Sequence, residues 1–216
     1  MQNKIRPSIA EGFFYAKNFN DLNEQIVECF KKGPGALPEH HRKRFTLGAI
    51  VPHAGYPFSG PCSAWAYDEI AESIFPDYYV IIGTNHNSEK TLTNLEDWET
   101  PFGIVSNAQK NLNIETSNMN NEHSVEVQLP FLQFVSRDKL KQLKIIPIIT
   151  NQYDPELCKK IAELPGSKII ICSGDLLHYG PNYSYVPFVY NKKESIRQID
   201  EQTIKLILDF KPEELM

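Results

Sequence analysis

The sequence lacks most of the short motifs that announce a reaction class. It has no GxGxxG or GxxxxGK[ST] loop to cradle a phosphate and no GxSxG elbow to present a nucleophilic serine, which disfavours nucleotide hydrolysis and serine-hydrolase chemistry. Basic charge is in deficit: 22 Lys plus Arg against 27 Asp plus Glu leave a formal net charge of −5. That is the wrong sign for the electrostatic footprint of a nucleic-acid-binding protein, so no DNA or RNA partner is expected. The four cysteines, Cys29, Cys62, Cys158 and Cys172, are widely spaced and form no CxxC. They read as reduced thiols in a cytoplasmic protein. Long hydrophobic runs are missing as well. YYVIIG and SKIIIC are of strand length, far short of the roughly 20 residues that span a membrane, and the N-terminus has no apolar signal core. No membrane partner is expected.

What is present suits an ordinary globular domain: 216 residues, 41% hydrophobic and 23% charged. There is no internal repeat, and the only linker-like stretch, KKGPGALPEHHRKR at 31–44, is too short to separate two cores. One domain over 1–216 is the expectation. Leu22, Ile26, Val27 and Phe30 recur at helical spacing and predict a helix over 20–32, stopped by Gly33-Pro34. Four apolar runs, 45–51, 78–83, 143–150 and 167–173, predict strands, with helices expected after the first and third and over 191–210. Strands buried on both faces read as unbroken apolar runs, so the pattern predicts an α/β, three-layer sandwich with a central, mainly parallel sheet flanked by helices.

In such sheets ligands bind beyond the carboxyl ends of the strands. His53 follows the first predicted strand, His86 the second, and Asp175 and His178 the fourth. One loop histidine means little, but three imidazoles at equivalent positions point to metal binding or acid–base work. If SGDLLHYG is helical, Asp175 and His178 share one turn and the carboxylate orients the imidazole. In GTNH, Thr84 and Asn85 would orient His86 or meet a substrate oxygen. In NEHSVEVQLPFLQFV, Glu122 and Glu126 lie one helical turn apart, and His123 shares a face with Glu126.

Taken in order, RPSIAEGFFY (6–15), PHAGYPFSG (52–60), GTNH (83–86), TPFG (100–103), EHSVEVQLPFLQ (122–133) and SGDLLHYG (173–180) resemble the motifs of the Memo family. That family includes an animal mediator of cell motility and the bacterial and archaeal AmmeMemoRadiSam system protein B. The resemblance implies a fold like that of the extradiol ring-cleaving dioxygenases and a pocket binding iron or copper through two histidines and a cysteine. His53 and His86 match the two histidines, Asp175 and His178 a nearby polar pair, and His123 a further histidine. The family's cysteine lies in a C-terminal CG-containing segment that the 216 residues do not contain, and none of the four cysteines fits it.

The expectation is therefore a metal-dependent, dioxygenase-like redox enzyme. His53 and His86 hold Fe(II) or Cu, with Zn also suited to imidazole. His178 acts as acid or base, Asp175 orients it, His123 lies near the substrate, and Tyr56, Asn85 and Glu126 contact the substrate. Two alternatives stand beside it. One is a zinc hydrolase with Asp175 or Glu126 as general base; the other is an adaptor-like protein that holds a metal, small molecule or peptide without turnover.

Overall fold

A computed structural model describes residues 4–214. The strands are β1 (Ile5–Arg6), β2 (Gly48–Val51), β3 (Tyr78–Thr84), β4 (Leu92–Thr93), β5 (Asp97–Thr100), β6 (Gly103–Asn107), β7 (Glu115–Thr116), β8 (Lys144–Thr150) and β9 (Lys168–Ser173). The helices are α1 (Phe19–Lys32), α2 (Tyr56–Glu72), α3 (Leu129–Val135), α4 (Pro155–Glu163) and α5 (Lys192–Leu208). One compact unit ends at Gly174 and a second begins at Asp175.

In the first unit the strands form one sheet in the order β1-β5-β6-β8-β3-β9-β2, with β4 beside β8 and β7 beside β4. The run β6-β8-β3-β9-β2 is parallel throughout. Alternate side chains of the central strands enter opposite layers, as the two-residue period of a strand requires. Tyr79, Ile81, Ile145, Ile169 and Ile171 pack with Leu22, Ile26 and Phe30 of α1, Tyr67 and Ile70 of α2, and Phe131 and Leu132 of α3. Tyr78, Val80, Ile146 and Ile148 pack on the other side with Leu157 and Ile161 of α4. This is the three-layer sandwich, and double-sided burial is why those strands carry no polar alternation.

The termini of the elements have local causes. Asn18 caps α1 by accepting the Asp21 N–H at 3.0 Å, and Asp154 caps α4 by accepting those of Glu156 and Leu157. Helices α1 and α2 cross closely at Gly60, where a Cβ would lie 2.3 Å from the Cys29 sulfur. Strand β2 begins at Gly48 rather than at Phe45, whose side chain is exposed. Strands β1 and β4–β7 went unforeseen because they are short, and β5 alternates: Trp98 and Thr100 point inward, Asp97 and Glu99 outward.

In the second unit, α5 matches the expected final helix. Its apolar stripe of Ile196, Ile199, Leu206 and Ile207 is only half-buried. The segment 174–180 in the loop before it is not helical, contrary to the one-turn reading of SGDLLHYG. It is held by the Leu177 N–H donating to Asp200 at 3.1 Å and by stacking of Tyr179 on Phe188. No helix among the described residues is long and apolar enough to cross a membrane.

Candidate metal centre

The register of the sheet brings the first two histidines level. Val51 of β2 and Gly83 of β3 both pair with Ser173 of β9, which lies between them. Each strand therefore ends at the same height, and the chain delivers His53 two residues beyond Val51 and His86 three beyond Gly83. His123 arrives differently, from the turn leading into the helical stretch 126–135. That turn sits directly on the end of β3. The Ser124 hydroxyl donates to the Thr84 carbonyl at 2.8 Å, and Gly83 has no Cβ because one would meet the Ser124 oxygen at 2.3 Å.

The three rings converge. Their centroids lie 5.2 Å (His53–His86), 5.6 Å (His53–His123) and 4.6 Å (His86–His123) apart. One nitrogen from each lies within 4.8 Å of the others, a set that could hold a metal ion. His53 is almost wholly buried, whereas the His86 side chain is 40% exposed, so the cluster opens to solvent on one side.

Hydrogen bonds orient two of the three rings, those of His53 and His86. The Ser173 hydroxyl has one proton, and it goes to the Ser124 carbonyl at 2.6 Å. The oxygen is thereby left as acceptor toward Gln128 Nε2 at 2.8 Å and His53 Nδ1 at 3.3 Å. His53 Nδ1 is then the donor to Ser173, which turns the Nδ1 edge of the ring toward β9. Gln128 is itself oriented, donating to the Pro52 carbonyl at 3.0 Å and accepting from the Tyr67 hydroxyl at 2.8 Å. His86 Nδ1 meets Glu122 Oε1 at 3.0 Å, the carboxylate–histidine pairing that orients ligating imidazoles and raises their basicity.

The electrostatics favour the same assignment. Burial alone would raise the Glu122 carboxyl, but the N–H groups of Ser124 and His86 and the His86 ring outweigh it and hold it below the ordinary carboxylate range. His123 is pushed down from the ordinary imidazole value, first by burial and then by His86 and His53, against the pull of Glu122. A neutral imidazole beside an ionised carboxylate is the state a cation requires.

The sequence of this fold matches a known family. A profile described as Memo-like protein aligns with residues 6–216. The chain belongs to the Memo family. A MEMO1 family protein of Thermotoga petrophila is 37% identical over 202 residues, covering 82% of this chain and 71% of that protein. One from Pyrococcus furiosus is 32% identical, covering 95% and 77%, and one from Methanocaldococcus jannaschii is 32% identical, covering 99% and 79%. All six motifs of the Memo resemblance fall inside the matched range.

The other expected site residues are placed as follows. The Tyr56 hydroxyl is in the core and donates to the Val127 carbonyl at 2.7 Å. Asn85 is buried and closes its own loop, accepting the N–H groups of Asn87 and Ser88 and donating to the Lys90 carbonyl at 2.7 Å. Glu126 is fully buried and receives the Arg6 guanidinium, the Ser8 and Tyr15 hydroxyls and the N–H groups of Ile9 and Ala10. The polar atoms of these three side chains are thus engaged by the protein. Glu122 and His123 precede the helical stretch that begins at Glu126, so Glu122 does not lie one helical turn before Glu126 and His123 shares no helical face with it. In the second unit, His178 Nε2 lies 3.5 Å from Asp175 Oδ2, and its ring packs on Tyr183. Sequence reasoning missed Ser173 and Gln128; the signal for Gln128 was an amide inside the apolar run VEVQLPFLQFV.

Proposed function

We propose that the chain binds one divalent first-row metal ion through His53, His86 and His123 and uses it in dioxygenase-like redox chemistry. The observation that carries the metal reading is the convergence of three nitrogens within 4.8 Å, with the ring orientations of His53 and His86 set by hydrogen bonds. Three imidazoles suit Fe(II), Cu and Zn alike and leave coordination positions for a chelating substrate. A bound metal there would supply Lewis acidity and, if iron or copper, electron transfer. The chain's own residues hold the imidazoles in register, keep Glu122 ionised beside them, and bury one side of the cluster. For His178 the proposed role is acid or base with Asp175 as its orienting partner, supported by their 3.5 Å contact.

A zinc hydrolase remains a second reading, favoured by the third histidine, since three histidines plus water form one known catalytic zinc set. Glu126 is a poor general base for it, because Arg6 and four further donors occupy the carboxylate. Metal analysis and oxygen consumption separate the readings. Iron or copper with oxygen uptake on catechol-like substrates supports the redox enzyme. Bound metal without turnover leaves an adaptor-like protein that captures a small molecule or peptide, and equal metal content in wild type and His53→Ala/His86→Ala removes the metal centre.

A further inference from the structure

The three rings are not held alike. Nδ1 of His53 and of His86 each has a hydrogen-bond partner, whereas His123 Nδ1 lies 3.7 Å from Glu122 Oε1, beyond hydrogen-bond range. Among the described residues no hydrogen bond engages the His123 ring. It is instead sandwiched between two aromatic faces: Phe14 on one side, with centroids 4.3 Å apart and planes at 29°, and His86 on the other, at 4.6 Å and 20°.

Phe14 is placed by a knot of its own. Its N–H donates to the Ala10 carbonyl at 2.9 Å, and its carbonyl accepts the Tyr56 N–H at 2.8 Å. The preceding residues converge on Glu126, which accepts from Ser8 Oγ at 2.8 Å, Ala10 N at 2.8 Å and Tyr15 Oη at 2.7 Å. Arg6 pairs with the same carboxylate and also donates to the carbonyls of Met119 and Glu122, at 3.0 and 2.7 Å. One buried ion pair therefore ties the segment 6–15 to the loop that carries Glu122 and His123.

We propose that residues 6–15, locked by the Arg6–Glu126 pair and acting through the Phe14 ring, are the positioning element that fixes the His123 imidazole. The inference rests on the reading of His123 as a member of the metal centre. Phe14 and Glu126 are positioning residues; neither touches the metal. Stacking constrains the plane of the ring, the restraint that hydrogen bonds supply for the other two imidazoles.

The test uses the full chain with Phe14→Leu, Phe14→Tyr and Glu126→Gln. In metal-free protein, the rate at which diethyl pyrocarbonate modifies each histidine is followed by mass spectrometry, with His178 as internal reference. The expected result is a several-fold rise at His123 in Phe14→Leu and Glu126→Gln and a return toward the wild-type rate in Phe14→Tyr, because an aromatic face is restored. Co(II) titration should show about tenfold weaker binding in Phe14→Leu, the scale on which orienting partners of metal ligands act. Wild-type reactivity of His123 in both Phe14→Leu and Glu126→Gln overturns the proposal. Absence of Co(II) binding by the unmodified chain overturns the metal reading instead, and the reactivity data then decide the positioning claim alone.

Discussion

Two regions of the first unit use the same ingredients, a buried glutamate and two neighbouring histidines, to different ends. Around Glu72, the carboxylate accepts the backbone N–H groups of Glu39, His40 and His41 and the His41 ring. Around Glu122, it accepts those of His86, His123 and Ser124 and the His86 ring. In both, N–H donors outweigh burial and keep the carboxyl below its ordinary range. Yet only the second forms a metal-compatible set among the described residues. His40 and His41 are chain neighbours in a folded-down linker. His41 turns out toward Glu39, and His40 Nε2 is buried without a partner. At Glu122 the rings come from segments far apart in sequence: strand β3 delivers His86, and the turn seated on the end of β3 delivers His123. Residue types are shared; strand-end register decides which cluster becomes a site.

Breaking that register of donors should have the largest effect. His53→Ala or His86→Ala removes a ligand, and metal affinity measured by competition with a chelator should fall about 100-fold or more, beyond the about 10- to 100-fold range of an orienting partner. The Glu72→Gln variant should bind metal as the wild type does. Next comes the buried pair. Arg6→Met strands Glu126 in the interior, and chemical denaturation should show a loss of about 3–5 kcal/mol. Glu122→Gln should reduce metal affinity about tenfold or more by loosening His86. No similar loss should follow His41→Ala.

The smallest effect is on pH dependence at the Glu72 side. Its folded-state carboxyl titrates below the unfolded value, so the stability it contributes is complete above the unfolded carboxylate range. It is lost as pH falls through the lower, folded value. Glu72→Gln should therefore flatten the acid limb of the stability curve below the unfolded carboxylate range, followed by denaturant melts at stepped pH. An unchanged acid limb would mean that Glu72 does not supply that stability.

The same contrast explains how much was legible in the sequence. Tyr78–Thr84, Lys144–Thr150 and Lys168–Ser173 were visible because strands covered on both faces must be apolar without interruption. Strand β5 was not, since Asp97 and Glu99 alternate with buried Trp98 and Thr100 and leave no run to see. His53 and His86 could be placed at one edge because each follows a strand end directly. His123 was assigned to a helix face, and its true neighbourhood depends on the 40-residue separation bridged by Ser124 and Thr84. Arg6 and Glu126 meet across 120 residues, a pairing that no local pattern encodes.

The central claim is that His53, His86 and His123 form one metal centre. It is tested most directly by loading the purified chain with Co(II) and recording stoichiometry and visible absorption for the wild type and a His53→Ala/His86→Ala/His123→Ala variant. The account predicts one equivalent per chain with a ligand-field spectrum in the wild type and neither in the variant. An identical stoichiometry and spectrum in both, or no bound Co(II) in the wild type, would contradict it.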